Sequence, residues 1–303
     1  MRAVIATLFL SVHLATAGEN WPRFRGPMGA GEAPPSVVLP DDWSPEATRW
    51  TSQLAGTGHS SPVIWEGKIF VTSAIDRGRQ RILQCFDLQE GSELWRVQVA
   101  SAGHKRHRFN SFATSTPAVD AMNVYLLWGQ PDQIQVVAYS HDGELRWNKN
   151  LGAYKSGHGF GVSPIAVGGK LIIANDQEAA NSIVALDTKM GKVTWSAERH
   201  PKRATYSTPI IFPHDDGSTD VIVSDWQQGI SALDLATGEQ RWTKSVFDTD
   251  DKQRAIGSPI VWDDLIIATC GFAAGKRRLV AIKAGEKPAL AFQLDDFVPH
   301  VPT

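Results

Sequence analysis

The chain has 303 residues, of which 42% are hydrophobic and 20% charged, with a formal net charge of −2. Those proportions are ordinary for a globular protein, and a near-neutral charge removes any global field that would draw nucleic acid or an anionic membrane. Eleven tryptophans are many for this length and call for a structural use.

Residues 1–17 read as a signal peptide: Arg2 supplies a positive start, Ala3 to Leu14 an apolar run, and Ala15-Thr16-Ala17 a small-x-small cleavage pattern before Gly18. The apolar run is too short for a transmembrane helix, and nothing later in the chain is apolar enough to span. The expectation is a periplasmic or secreted protein cleaved after Ala17, with no transmembrane segment after signal removal. No cysteine stands near that site, so lipidation is not indicated. Export permits disulfides, but Cys85 and Cys270 lie far apart in the chain and are read as buried, unpaired small residues.

Residues 18–57 form an irregular, Pro- and Gly-rich leader in which Thr48 to Leu54 has the pattern of a closing strand around Trp50. The rest, 61–303, is repetitive. Ala232-Leu-Asp-Leu-Ala-Thr-Gly-Glu-Gln-Arg-Trp242 reads as a strand end, a tight turn and the next strand. Asp234 is placed to bond backbone N–H groups ahead of it, and Gly238 to take φ > 0 where the chain reverses. The same unit runs from Asp187 through Gly191 to Trp195 and from Asp87 through Gly91 to Trp95; a turn one residue shorter joins Gly143 to Trp147. A second mark keeps step: Ser61-Pro62, Thr116-Pro117, Ser163-Pro164, Thr208-Pro209 and Ser258-Pro259 each open an alternating apolar run, and proline is tolerated at the first residue of a strand. Two phased marks at a period of about 45–50 residues indicate an all-β propeller of four-stranded antiparallel blades. The five modules run over 61–99, 116–151, 163–198, 208–246 and 258–294. In the fifth the turn has decayed, and Phe292 stands where tryptophan would. Val301-Pro302-Thr303 has the look of a sixth opening, which predicts a truncated, open arc with a bare blade face at each end. Trp95, Trp147, Trp195 and Trp242, with Gly91, Gly143, Gly191 and Gly238, are expected to dock successive blades.

Ala-x-Asp-x-x-Thr-Gly-x-x-x-Trp, intact at Ala232 to Trp242, resembles the tryptophan-docking repeat of the pyrroloquinoline quinone (PQQ) propellers. Trp21-Pro-x-Phe-Arg-Gly-Pro27, Asn110-Ser-Phe-Ala-Thr-Ser-Thr-Pro117 and His158-Gly159 are similar to one branch, the exported bacterial PQQ-binding-like β-propeller repeat proteins, over residues 20–303. The resemblance implies seven or eight blades in a full chain. It also raises PQQ with Ca²⁺ as a cofactor. Against that, no adjacent cysteine pair exists, Asp87, Asp187 and Asp234 have turns to hold, and no oxygen-ligand cage for Ca²⁺ emerges from spacing. No His-x-Glu or His-x-x-x-His spacing supports a transition metal, so no metal site is assigned.

The loops between blades share one face, where propeller sites usually lie. They bring His104, His107, Asn110, His158 and Tyr206, and the loops between second and third strands add Asp176, Asn181, Asp225 and Trp226. Cations, carboxylates and an indole around a mouth are suited to an anionic or glycan ligand, or to a protein partner. The plain alternative is that loop tips are polar because they meet water. The leading expectation is a non-catalytic binding or assembly scaffold that needs no cofactor. The alternatives are a PQQ-dependent oxidoreductase, or a degenerate relative of one, and a polysaccharide-binding or -processing protein.

Overall fold

The computed structural model describes residues 20–298 apart from 34, 36, 39, 179, 180, 201, 202, 248–253, 272–274, 296 and 297. The expected signal peptide over 1–17 and the sixth opening at 301–303 lie outside the described residues. Twenty strands form five separate four-stranded antiparallel sheets, each paired in chain order. The first blade is β1 (Val63–Trp65), β2 (Lys68–Ile75), β3 (Gln80–Asp87) and β4 (Glu93–Ala100); the second is β5 (Ala118–Val119), β6 (Val124–Gln130), β7 (Gln133–Tyr139) and β8 (Leu145–Asn150). The third is β9 (Ile165–Val167), β10 (Lys170–Asp176), β11 (Asn181–Asp187) and β12 (Val193–Glu198); the fourth is β13 (Ile210–Pro213), β14 (Thr219–Asp225), β15 (Gly229–Asp234) and β16 (Gln240–Lys244). The fifth is β17 (Ile260–Trp262), β18 (Leu265–Gly271), β19 (Arg277–Lys283) and β20 (Ala289–Leu294). Among the described residues the only helical turns are two three-residue 3-10 pieces, Pro45–Ala47 and Asp76–Gly78.

The core lies in the joints between blades. Side chains alternate across a strand, so one strand feeds two joints. Leu171 and Ile173 pack against the second blade's Leu127 and Val136, while Ile172 and Ala174 pack against the fourth blade's Val221 and Val223. Each blade carries a bulge between its third and fourth strands at the same place, which sets Trp95 opposite Cys85, Trp147 opposite Ala138, Trp195 opposite Ala185 and Trp242 opposite Ala232. A small residue there leaves room for the indole.

The indole then reaches the next blade. Cβ atoms built on Gly143, Gly191 and Gly238 would lie 3.0 Å or closer to Trp95, Trp147 and Trp195. The same tryptophans donate Nε1–H to the carbonyls of His141, Thr188 and Leu235 at 3.0, 2.9 and 3.0 Å. The three glycines, like Gly91, have φ between 66° and 86°, so they are required twice: for the left-handed turn and for the missing Cβ. The turns form as the sequence predicts, with Asp87, Asp187 and Asp234 Oδ1 each accepting two backbone N–H groups. Trp147, Trp195 and Trp242 are 8–9% exposed, whereas Trp95 is only half-buried.

Two expectations need correction. Thr48 to Leu54 is not a strand, because no third strand lies beside it to pair with. Trp50 nevertheless stacks on Gly91 and donates to the Leu88 carbonyl at 3.1 Å, filling the docking position of a preceding blade. The first blade's outer face, with Ile69, Val71 and Phe86, is thereby covered and not bare. At the other end, among the described residues, all six residues of β20 are exposed, Phe292 among them at 43%. Gly285, in the decayed turn, has nothing within 4 Å of a Cβ built on it.

Inside the array a second ladder joins all five blades. The backbone N–H groups of Ser61, Thr116, Ser163 and Thr208 donate to the hydroxyls of Thr116, Ser163, Thr208 and Ser258 at 3.0, 3.0, 3.3 and 2.9 Å. The hydroxyl before the proline of the second to fifth modules is thus an interblade acceptor, and in the ladder Ser61 of the first only donates its N–H.

Truncation of Trp195 to Ala is expected to cost about 3–5 kcal/mol in urea unfolding, as for a buried aromatic in an intact joint. Phe292→Ala, on the exposed end, is expected to cost less than about 1 kcal/mol.

Candidate functional site

The segments linking one blade's outer strand to the next blade's inner strand carry little regular structure and meet at one end of the array. Side-chain ties hold them. Asn110 Nδ2 donates to the carbonyls of His158 and Phe160 at 2.9 and 3.2 Å, and the His107 N–H donates to the His158 carbonyl at 2.9 Å. Gly159, with φ 93°, permits that approach, since a Cβ there would meet Asn110 Nδ2 at 2.8 Å and Arg106 Cβ at 2.9 Å. Ser156 and Tyr206 share a hydroxyl–hydroxyl bond of 2.8 Å that ties the following pair of loops.

These ties bring His107, His158 and Tyr206 together. The two imidazoles stack with centroids 5.7 Å apart, and Tyr206 meets His158 edge-on at 6.5 Å. Burial, followed by the positive charge of Arg254, holds His158 below its ordinary value. Arg106 lies over Phe112 and Arg108 over Phe109, at 4.8 and 4.5 Å from the ring centroids, and Phe109 itself is 70% exposed. His104 sits deeper, edge-on to Phe112 and Tyr154. Burial, then Arg81 and Arg106, pushes its pKa down to about 4, so it is neutral at pH 7. Asn110 is a loop tie whose amide is spent on backbone. Asn181 likewise serves the backbone, its Oδ1 accepting the Gln177 N–H at 2.6 Å.

The remaining sequence candidates do not face the mouth, which corrects the expectation of a ligand site furnished with carboxylates and an indole. Asp176 and Asp225 are 5% and 0% exposed. Both pair with the buried Arg199, Asp176 Oδ2 with Nε at 3.1 Å and Asp225 Oδ2 with Nη2. Asp225 Oδ1 also caps the N–H groups of Gln227 and Gln228. Trp226 is 1% exposed in the core between the fourth and fifth blades. The physical reason is common to all three. They stand at the ends of β10 and β14, where the joint is still closed, and buried charge must be paired. Arg199, which reads in the sequence as part of a basic loop, is consumed in the same cluster.

Two carboxylates sharing one guanidinium leave a negative charge unbalanced. Desolvation, opposed by Arg199 and reinforced by Asp225, raises Asp176 to about 6, and its Oδ1 has no partner.

A cavity of about 920 Å³ opens along the inner ends of the blades. The hydroxyl ladder, His59 and Tyr206 line it, as do Trp21, Phe24 and Arg25 of the leader and an apolar wall from the fifth blade. Among the described residues no Asp or Glu lines it. Among the described residues, no three His, Cys, Asp or Glu side chains converge so as to hold a metal ion. Ca²⁺ asks for six to eight oxygens, carboxylates among them, so this donor set does not fit a Ca²⁺-held quinone. Sequence reasoning missed Arg25, Arg254 and the ladder hydroxyls. The Ser/Thr before each proline was the available signal for the ladder, and Arg254 had none.

Repeated four-stranded blades joined by indole-on-glycine contacts define a β-propeller of the PQQ-like repeat class. The profile of the family described as outer membrane protein assembly factor BamB matches residues 78–293, and the chain belongs to that family. None of the curated proteins matches the chain. Among solved structures it is similar to BamB from Moraxella catarrhalis, with 17% identity and a TM-score of 0.51 over 82% of this chain and 67% of that one. It is also similar to a europium-containing methanol dehydrogenase, with 12% identity and a TM-score of 0.65 over 93% of this chain and 59% of that one. The quinohemoprotein alcohol dehydrogenase ADHIIG from Pseudomonas putida HK5 has 16% identity and a TM-score of 0.55 over 77% of this chain and 52% of its own. The chain thus spans between about half and two thirds of these proteins, and at such identities the likeness is one of fold.

Asp176 gives a pH prediction. Its folded pKa is raised above the ordinary carboxyl value of about 3.9, so its stabilising contribution is complete below about pH 4 and is lost as pH rises through about 6. Asp176→Asn should remove that loss. Relative to wild type the variant is expected to gain about 2 kcal/mol between pH 4 and pH 8, read from urea midpoints across that range.

Proposed function

We propose that this chain is an exported, non-catalytic propeller scaffold that docks a protein partner on its loop-bearing face. One observation carries the reading: the exposed surface of that face is aromatic and cationic at once. Phe109 is 70% exposed beneath Arg108, beside the His107–His158 stack and Tyr206, with Arg106 close by and Arg254 acting on His158. Aromatic side chains and arginine are what protein interfaces concentrate, and the positive charge selects an acidic partner surface. The family's description supports an assembly role at the outer membrane, and residues 1–17 support export. Among the described residues no helix is long and apolar enough to cross a membrane. The oxidoreductase reading draws support from the fold of the dehydrogenases, but the axial donor set speaks against it.

The test is site-specific photo-crosslinking in cells. A photoreactive side chain at Phe109 is expected to give one discrete protein adduct. The same group at Met190, exposed in a turn at the opposite end of its blade, is expected to give none. Saturable quenching of tryptophan fluorescence by PQQ with Ca²⁺, together with dye-linked alcohol oxidation, would replace this reading with the enzymatic one.

A further inference from the structure

The leader motif Trp21-Pro-x-Phe-Arg-Gly-Pro27 takes no part in the loop-bearing surface. It is pinned to the first two blades: Trp21 exchanges backbone hydrogen bonds with Ile64, both 2.9 Å, and the Val119 N–H donates to the Pro22 carbonyl at 2.8 Å. From there a compact turn, closed by Gly26 N–H to Arg23 at 2.9 Å and Gly31 N–H to Arg25 at 2.9 Å, carries Arg25 to the far side of the cavity. Arg25 has φ 61°, a left-handed backbone that a side chain of this size adopts at a cost. Its Nη1 donates to the carbonyl of Ser258, a ladder residue of the fifth blade, at 3.3 Å. Its guanidinium carbon lies 5.2 Å from the centroid of the Phe24 ring, and among the described residues no carboxylate pairs with it and no further acceptor takes its other N–H donors. A strained backbone therefore holds a half-buried guanidinium, without a carboxylate partner among the described residues, against the cavity wall.

The wall itself offers donors. Each ladder hydroxyl has one lone pair engaged by a neighbouring blade's N–H, which leaves its own proton to give. Among the described residues nothing accepts the protons of Thr116, Ser163, Thr208 and Ser258, and all four line the cavity. Beside Ser258 the fifth blade adds an apolar part of the lining: Ile256, Ile260, Ile267 and Leu279. A volume of about 920 Å³ lies within the range of small-molecule sites, about 300–1,000 Å³.

We propose that this axial cavity binds a small organic anion, a carboxylate with an apolar body. Its charge lies against Arg25 and the ladder hydroxyls, and its body lies along the fifth-blade isoleucines and Leu279. Guanidinium to carboxylate is a strong, charge-assisted pairing, and the free hydroxyl protons add donors with no competing acid among the described residues of the lining. The site adjoins the loop-bearing surface at Tyr206, which belongs to both, but Arg25 and the ladder hydroxyls are no part of that surface, so their test leaves the scaffold reading untouched.

Sodium octanoate and its neutral isostere octanamide, titrated into the whole mature protein by calorimetry and thermal unfolding, decide it. Octanoate is expected to bind saturably and raise Tm, with octanamide at least tenfold weaker. Arg25→Gln, which keeps a polar side chain at the same backbone, is expected to weaken octanoate at least tenfold while leaving the ligand-free Tm near that of wild type. Absence of saturable octanoate binding overturns the proposal, and so does an equal response to octanoate and octanamide, the signature of a merely apolar surface. Undiminished binding by Arg25→Gln overturns it as well. The comparison of the two ligands on wild type stands even if the variant does not fold.

Discussion

The seating of one blade's indole on the glycine turn of the next governs this molecule. A four-stranded sheet with apolar side chains on both faces cannot bury them alone, so each blade is stable only in company. The contact that supplies company is specific as well as apolar. Trp95, Trp147 and Trp195 each cover a glycine of the following blade, and each satisfies its N–H on a carbonyl of that same turn. The fifth module lacks the seat: its turn departs from the Asp…Gly form, and among the described residues Gly285 has no indole upon it. The opposite end shows the reverse. Trp50, in a segment that is not a strand, seats on Gly91 and shields Ile69, Val71 and Phe86 as a blade would.

The tryptophans hold the outer parts of the blades, and the hydroxyl ladder holds the inner parts. Together they set the spacing of the inner strands, and the loops that begin at those strands inherit it. Asn110 bridges two loops because the first and second joints bring it within reach of His158 and Phe160. The Ser156–Tyr206 bond does the same one blade on. The aromatic, cationic surface is therefore a product of the joints and not of any single loop.

Charge is distributed accordingly. The carboxylates at the ends of β10 and β14 turn inward to Arg199, where the low dielectric makes pairing obligatory. The cations of the loops remain outside. Among the described residues the axial cavity keeps hydroxyls and one arginine but no acid. The loop-bearing end of the array therefore carries exposed cations, with Glu178 as an exposed acid among them, while Asp176 and Asp225 are buried against Arg199.

Much of this was legible in the sequence. The two phased marks predict four-stranded blades, and the Asp…Gly…Trp spacing predicts both the turn and its capping bonds, because a turn is decided by residues a few positions apart. The identity of each module's tryptophan and the decay of the fifth turn are local facts of the same kind. The site was less legible. Asp176, Asp225 and Trp226 have the composition of a binding face, yet they are buried, since burial depends on how closely the neighbouring blade approaches. The serine or threonine before each proline is visible at every module, but the role of four of them as acceptors for the preceding blade's N–H exists only when inner strands are side by side. Arg25 lies 233 residues from the Ser258 carbonyl it bonds. Local spacing determined the blades; contacts between residues distant in the chain decided which polar groups face solvent, which face one another, and which face the cavity.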